Sequence, residues 1–372
     1  MSGVRDSGAR GHGDVRVDVV RPGELGPGEL ASWRLLRAES RMPASPFMEP
    51  EFTVAVGRVR PAARVALLGL GGERAGFFPY ETGPWGQGRA IGLGVSDSQG
   101  AVLRPGLEIT APRLLRACSL SAWRYDNLEA GQDLFLPGGA EGFDSPVIDL
   151  GAGYETYEKE LRAQSPTFLR STLAKERRLG RAQGGVRFVF DERDPAALRT
   201  LMEWKSAQYR RTGRGDRFAQ RWISDLVRLL HKTRTPGCSG VLSVLYAGGR
   251  PVSAHFGLRS PGALAYWFPA YDPRFARYSP GLVLLLRMAE AAAAAGIGLL
   301  DLGRGAARYK GSLMTGRLRV HEGASTRPGM GAALHWVSRE PARRTHRFVR
   351  DRPRLAGYAR ETLTRIGGVR GG

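Results

Sequence analysis

One run of the chain, residues 240–313, constrains the fold more than any other. It reads strand, Gly248-Gly249 turn, strand, aromatic strand, helix, short strand and a second glycine turn. The paired glycines supply the positive φ that a tight hairpin needs. On the second strand, 251–258, Val252, Ala254, Phe256 and Leu258 share one face. Ser253, His255 and Gly257 share the other, because side chains alternate along a strand. Residues 263–271 carry Tyr266, Trp267, Phe268 and Tyr271, with aromatic rings on both faces. Ser279 suits the N-cap and Pro280 the first turn of a helix running to Ala295, with Gly296 at its C-terminal end. That helix is apolar nearly all round, which predicts burial against the sheet. A short strand, 299–302, then carries Asp301, and Gly303-Arg304-Gly305 allows a tight turn. This order predicts an open sheet with a cleft beside a helix N-terminus.

A chain of 372 residues exceeds what one core usually supports, roughly 250–300 residues, so two domains are expected. Hydrophobic content of 42 % and charged content of 24 % are those of a globular protein. The longest apolar stretch, 281–298, contains Arg287 and Glu290 and reads as a buried helix, not a membrane span. The first residues hold no apolar signal-peptide core, so a cytoplasmic location is expected, with peripheral contact to the inner face of the membrane left open. Cys118 and Cys238 lack CxxC spacing and the six histidines lack ligand spacing, so neither a disulfide framework nor a metal is expected. Net charge is +21, almost all of it arginine. Such a charge concentrates anions, including nucleotide cofactors, RNA and acidic lipid surfaces, without choosing among them.

Residues 1–13 are glycine, serine and charge and are expected to be disordered. Residues 14–144 form an expected first half and 145–325 a second, followed by a basic segment, 326–372. In the first half a strand is predicted at Val15, Val17 and Val19, helices near 30–39 and 52–59, and a hairpin across Gly71-Gly72. Residues 82–94 are glycine-rich and read as a loop, 107–117 as a helix interrupted near Pro112, and 122–127 as a strand. Residues 138–145 read as a loop and 146–150 as a strand. Helices follow at 154–163, 166–183, 195–209 and 218–232, with a strand at 186–190. Arg170, Arg177 and Arg181 share one helical face, either an anion-facing stripe or a solvated surface. Residues 65–78 and 241–256 echo one another as strand, Gly-Gly, strand, which is either a generic hairpin or a duplication. The tail 339–372 holds ten arginines against Glu340, Asp351 and Glu361, a phosphate- or membrane-binding arm or a loosely packed terminus.

Several residues in the central run can carry chemistry. His255 lies between small neighbours on its face, so it is either a general base or a structurally hydrogen-bonded ring. Arg274, Arg277, Ser279, Gly281 and Leu282 surround a helix start, where N–H groups and the helix dipole suit a pyrophosphate. Asp301 at a strand end can orient a base or bind an acceptor amine, and can equally cap local backbone. The Tyr309 phenol can protonate a departing thiolate, beside Lys310. Trp267, Tyr271, Asp272, Arg304 and Lys310 are the candidate substrate contacts.

Together these segments resemble the CelD/BcsL family of GNAT-like acyltransferases, named for an association with cellulose biosynthesis. The resemblance is carried by Ala254-His255-Phe256-Gly257-Leu258, Trp267-Phe268-Pro269-Ala270-Tyr271-Asp272, Tyr278-Ser279-Pro280-Gly281, Asp301-Leu302-Gly303-Arg304-Gly305 and Tyr309-Lys310. Trp204-Lys205-Ser206-Ala207-Gln208-Tyr209 and Thr212-Gly213 also fit, as do Pro46-Phe47 and Gly76-Phe77-Phe78-Pro79 more faintly. The resemblance implies an α/β (α+β) GNAT-type fold in two GNAT-like halves, related to the FemABX-type peptidyltransferases. It implies acetyl-CoA or another acyl-CoA as donor, no metal, and a small-molecule or polysaccharide-precursor acceptor bearing an amine or hydroxyl. The standard GNAT phosphate loop, Gln/Arg-x-x-Gly-x-Gly/Ala, is replaced here by Arg277-Tyr278-Ser279-Pro280-Gly281. The cross-bridge relatives use aminoacyl-tRNA, so a tRNA-dependent transferase is one alternative. A non-catalytic module docking on acidic lipid is another.

Overall fold

The computed structural model describes residues 14–327, apart from 41, 137–139 and 306. The expected disorder at 1–13 and the arginine-rich tail at 339–372 lie outside the described residues. Within the first half the chain runs β1 (Arg16–Val20), α1 (Pro27–Glu39), α2 (Pro50–Val59), β2 (Ala63–Leu70), β3 (Glu73–Thr82), β4 (Gln87–Ala90), β5 (Val102–Leu103), α3 (Ala111–Ala117) and β6 (Ala122–Glu129). The second half runs β7 (Glu141–Asp149), α4 (Tyr154–Gln164), α5 (Pro166–Gln183), β8 (Val186–Val189), α6 (Pro195–Arg211), α7 (Arg221–Lys232), β9 (Ser239–Ala247), β10 (Arg250–Arg259) and β11 (Ala263–Tyr271). It ends with α8 (Pro280–Ala294), β12 (Leu299–Asp301), α9 (Arg308–Leu313) and β13 (Gly316–Thr326).

A strand, two helices, three antiparallel strands, a helix and a strand parallel to the last occur twice. The first copy uses β1, α1, α2, β2, β3, β4, α3 and β6; the second uses β8, α6, α7, β9, β10, β11, α8 and β12. The two echoing hairpins, β2–β3 and β9–β10, occupy the same place in each copy. One mixed sheet joins the copies in the order β1-β2-β3-β4-β6-β13-β7-β12-β11-β10-β9-β8, with β5 on β3. The junction is β13, which pairs with β6 on one side and β7 on the other.

Local sequence explains most of the helices. α5 begins on Pro166 and stops at Gly184, whose left-handed φ of 81° favours glycine. α7 buries Ile223, Leu226, Val227 and Leu230 at helical spacing. With Leu198 and Leu201 of α6 they cover Leu242, Phe256 and Leu258 of the sheet. Each large apolar side chain so buried contributes about 1.5–3 kcal/mol. On the opposite face α8 buries Leu285, Leu286, Met288 and Ala289 against Leu264 and Leu300.

Differences from the sequence reading lie mainly near the junction. β4 lies inside the segment read as a loop, and β7 begins at Glu141 within the predicted loop 138–145. The expected boundary at 144/145 therefore falls inside a strand. α3 is not interrupted at Pro112; it starts at Ala111, with Pro112 in its first turn and Thr110 accepting the Arg113 N–H at 3.4 Å. Ser279 stands at the start of α8 as expected, but its side chain makes no cap bond and its φ is +50°. Its Oγ instead accepts from Lys175 Nζ at 3.0 Å.

Candidate active site

Three pairs, Ala263–Leu299, Leu264–Leu300 and Ala265–Asp301, join β11 and β12 in parallel. Beyond them β11 continues along β10, while the chain after Asp301 turns away with the Leu302 N–H bonded to Pro146 O at 3.0 Å. The strands part at Tyr266 and Leu302, and the candidate site is built around this fork.

β11 is irregular at the fork. Its register with β10 shifts between Phe256 and Leu258. Gly257 permits this, because a Cβ there would stand 2.1 Å from Ala265 O. His255 Nε2 accepts the Trp267 N–H at 3.0 Å, and its ring stacks on Tyr266 with centroids 4.5 Å apart. Accepting at Nε2 puts the ring proton on Nδ1, which has no hydrogen-bond partner among the described residues. Burial holds the His255 pKa down to about 3, with Lys205 adding repulsion and a backbone contact to Ala265 opposing weakly. The ring is therefore neutral at ordinary pH and holds the bulge.

The other arm of the fork carries charge. Asp301 Oδ1 accepts from Ser145 Oγ at 2.7 Å and Gly303 N at 2.9 Å. Burial raises its pKa, against those two bonds and Lys310. Lys310 Nζ donates to Gly303 O at 2.7 Å; burial lowers its pKa while Asp97 and Asp301 oppose. Arg304 donates to Asp126 O and to Glu322 Oε2, both at 2.7 Å, and lies 3.5 Å over the Phe143 ring. It ties the fork to β6, β7 and β13. Tyr309 packs, partly buried, against the apolar cluster that includes Leu302, Leu313 and Tyr266, and burial raises its pKa.

The wall opposite comes from α6 and from the first half. Lys205 Nζ donates to Pro269 O at 2.8 Å, and burial, with Arg214 and Arg217, holds its pKa down to about 8. The loop from β4 to β5 reaches across, where Trp267 Nε1 donates to Val95 O at 2.6 Å. Phe47 and Phe52 pack edge-on against the same indole at 5.3 and 6.3 Å. This loop places Asp97 against Gly303: a Cβ on that glycine would stand 3.3 Å from Asp97 Oδ2. Burial pushes the Asp97 carboxyl up to about 7, helped by Asp301 and Asp126 and opposed by Lys310 and Arg217. The sequence reading does not single out Asp97. Its signal is a carboxylate between two serines in a glycine-spaced segment, Gly92 to Gly100.

A second feature lies at the start of α8. Arg178, Arg181, Ala182, Arg277 and Tyr278 line an open groove of about 460 Å³. Lys175, on the same helix as the first two, contacts Ser279. Pro280 has no N–H, and the Leu282 and Val283 N–H groups already bond Ser279 O at 2.9 and 3.3 Å. Few backbone donors therefore remain for an anion, and guanidinium groups supply the charge instead. Gly281 lies close to Tyr271 and Ser253: a Cβ on that glycine would stand 3.9 Å from each. Arg274 and Asp272 are paired with each other, at 2.5–3.1 Å, and Asp272 also caps the Arg274 N–H.

The structure thus gathers Asp301, Tyr309, Lys310 and Arg304 at one arm of the fork and His255 and Trp267 at the other. Arg277, Ser279, Gly281, Leu282 and Tyr271 gather at the helix start. It consumes Arg274 and Asp272 in a local turn. Among the described residues no group of three or more His, Cys, Asp or Glu is set to hold a metal ion.

Residues 168–311 match the family model described as the acetyltransferase (GNAT) domain. The matched segment is of the GNAT acetyltransferase type, and the protein is an acyltransferase. Among solved structures FemX superposes with a TM-score of 0.55 at 12% identity, covering 79% of this chain and 94% of FemX. A conserved protein of unknown function from Bacteroides thetaiotaomicron VPI-5482 gives 0.52 at 10% identity, covering 80% of this chain and 97% of that one. A tandem GNAT protein from the clavulanic acid biosynthesis pathway gives 0.45 at 13% identity, covering 84% and 98%. At such identities the likeness is one of fold. No curated protein matches the chain. The forked strands and the α8 crossover are thus those of a GNAT fold, whose usual co-substrate is an acyl-CoA.

Proposed function

We propose that the protein transfers an acetyl or other acyl group from acyl-CoA to an amine or hydroxyl of a sugar or cell-envelope precursor. One observation carries this reading: within the segment matching the GNAT model, β11 runs from the β11–β12 fork to Tyr271 beside Gly281 at the start of α8, where an arginine-lined groove opens. The CoA phosphates lie against Arg277, Arg178 and Arg181, near Ser279, Gly281 and Leu282. Bidentate guanidinium contacts replace the backbone donors that Pro280 removes. The pantetheine arm enters the fork, and the thioester reaches the bulge at Tyr266-Trp267.

His255 serves this site as a positioning residue, because its Nε2 lone pair is already engaged by the Trp267 N–H. Asp301 and Lys310 fix the turn at Gly303 and with it the second arm of the fork. The acceptor adds to the thioester carbon, strand N–H groups steady the oxyanion, and the carbon–sulfur bond breaks. Oriented donors of this kind contribute about 3 kcal/mol. Tyr309 returns a proton to the leaving thiolate and is itself reprotonated from water. Trp267, Tyr271 and Arg304 border the acceptor's path. The +21 charge favours a nearby anionic membrane surface or polymer, and the arginine groove favours RNA as a second reading.

Calorimetry with acetyl-CoA tests the donor. Wild-type protein is expected to bind it, and Arg277→Ala to weaken binding about tenfold, the loss of one charge-assisted contact. Failure of acetyl-CoA and longer acyl-CoAs to bind would remove the reading. Tight tRNA binding with a steep salt dependence in their place would establish the second one.

A further inference from the structure

Among the described residues of the second half, the side chains at the fork that could act as a base are each engaged, Lys205 through its bond to the Pro269 carbonyl. His255 is buried, neutral and bonded to a backbone N–H, Lys310 is held by the Gly303 carbonyl, and Asp301 is held by Ser145 and Gly303. We propose that the first half supplies the base: Asp97, on the β4–β5 loop, takes the proton from the attacking nitrogen of a primary-amine acceptor. This rests on the acyl-transfer reading above and names its acceptor class.

Three features of the structure support the assignment. The loop is fixed across the fork by the Trp267–Val95 bond and by Phe47 and Phe52 against the same indole. Asp97 Oδ2 lies against Gly303, where β12 has just left β11. Its carboxylate makes no hydrogen bond or ion pair to any other described residue, whereas Asp301, Asp126 and Glu129 are each bonded to a neighbouring side chain. The charged and titratable groups facing it are Asp301 from β12, Asp126 from β6, Lys310 from α9, Tyr209 from α6 and Arg217 before α7. Lys310 and Arg217 balance two of the carboxylates, and no fixed cation is bound to Asp97 itself.

An amine suits this arrangement better than an alcohol. At neutral pH an amine arrives as an ammonium ion, which an unpaired carboxylate attracts. A carboxyl group held near 7 is strong enough to accept a proton and weak enough to release it to water. The steps balance. The ammonium ion gives one proton to solvent water on reaching the site, and the neutral nitrogen attacks the thioester carbon. Asp97 then takes the second proton as the nitrogen–carbon bond forms. The carbon–sulfur bond breaks, the thiolate takes a proton from Tyr309, and the amide and free thiol leave. The rate should rise with pH through about 7, as Asp97 ionises.

The test follows thiol release from acetyl-CoA with glucosamine and butylamine as acceptors, against glucose and butanol. Wild-type protein is expected to use the amines and not the alcohols, with the pH limb near 7. Asp97→Asn is expected to lower the amine rate at least a hundredfold, with acetyl-CoA affinity unchanged, and Asp97→Glu to restore part of it. An infrared difference spectrum needs no acceptor: subtracting the Asp97→Asn spectrum from that of the wild type cancels the Glu49 contribution and should leave a carboxylic-acid band titrating near 7. The inference is overturned if the band is absent, if Asp97→Asn keeps its rate and pH limb, or if alcohols serve as well as amines. It is likewise overturned if bound acetyl-CoA reacts with no amine. Loss of acetyl-CoA binding by the wild type would instead count against acyl transfer itself.

Discussion

The two halves make the same crossover and finish it differently. β4 pairs with β6 in parallel at three positions, as β11 does with β12. In the first half the gap is then plugged by the chain's own loop. Gln99 Oε1 accepts the N–H groups of Asp126 and Asn127 at 2.9 and 3.2 Å, and Gln99 O accepts that of Glu129 at 3.0 Å. Phe78, Trp123 and Phe135 pack behind it, with ring centroids 4.6–5.2 Å apart. In the second half the fork is bordered by Asp301, Lys310, Lys205 and the reaching Asp97 loop, and an arginine groove opens at the start of the long helix α8. The same β4–β5 loop fills one crossover through Gln99 and borders the other through Val95 and Asp97. The first half is thus both a filled copy of the fold and a component of the neighbouring site.

Removing the plug should break that contrast most strongly. Gln99→Ala leaves the Asp126 and Asn127 N–H groups without their acceptor, at about 1–3 kcal/mol for each unsatisfied group. Denaturant unfolding should show a loss of about 2–6 kcal/mol, a range set by how far water reaches the gap. Acetyl-CoA affinity should not change, since the cofactor groove lies in the other half. A parallel loss of affinity would mean that the plug supports both crossovers.

Titration should separate the halves more gently. Burial raises the carboxyl pKa values of Glu49 and Asp97, each to about 7, and also those of Asp126 and Glu129; all four lie in the first half. In the second half Asp301 and Asp191 are raised in the same way. For Glu49 and Asp97 the folded pKa exceeds the unfolded value, so the folded state holds more protons between about pH 4 and 7, and the other raised carboxyls act in the same direction. Stability should therefore fall as pH rises through that window, and level off above the folded pKa values. Arg37, 3.9 Å from Glu49 and 3.6 Å from Glu129, offsets part of the cost. Glu49→Gln should flatten the fall measured by thermal unfolding at pH 5, 6, 7 and 8. A stability that instead climbs steadily to pH 8 would contradict the raised values.

The second half is the more legible in sequence, for local reasons. Pro166 and Gly184 mark α5, and the i, i+3, i+4 apolar spacing marks α7. The hairpin glycines mark β9–β10. β13 is invisible there because Gly316–Thr326 carries Arg317, Arg319 and Glu322 and is defined by pairing on both edges, with few buried side chains. β4 is four residues, two of them polar and one glycine. The helix face bearing Arg181 is readable, but its partner Arg277 comes from a distant turn. The importance of His255 is readable and its hydrogen bond is not, because the Trp267 N–H meets the ring only through the bulge at Gly257. Asp97 is brought to the site wholly by tertiary approach.

Hydrogen–deuterium exchange with and without acetyl-CoA tests most directly whether only one of the two crossovers is a cofactor cleft. Added protection is expected in peptides covering 266–282 and 302–310, and none in 87–95 or 111–124 of the filled crossover. Protection of the first-half crossover instead, or equal protection of both, would contradict it.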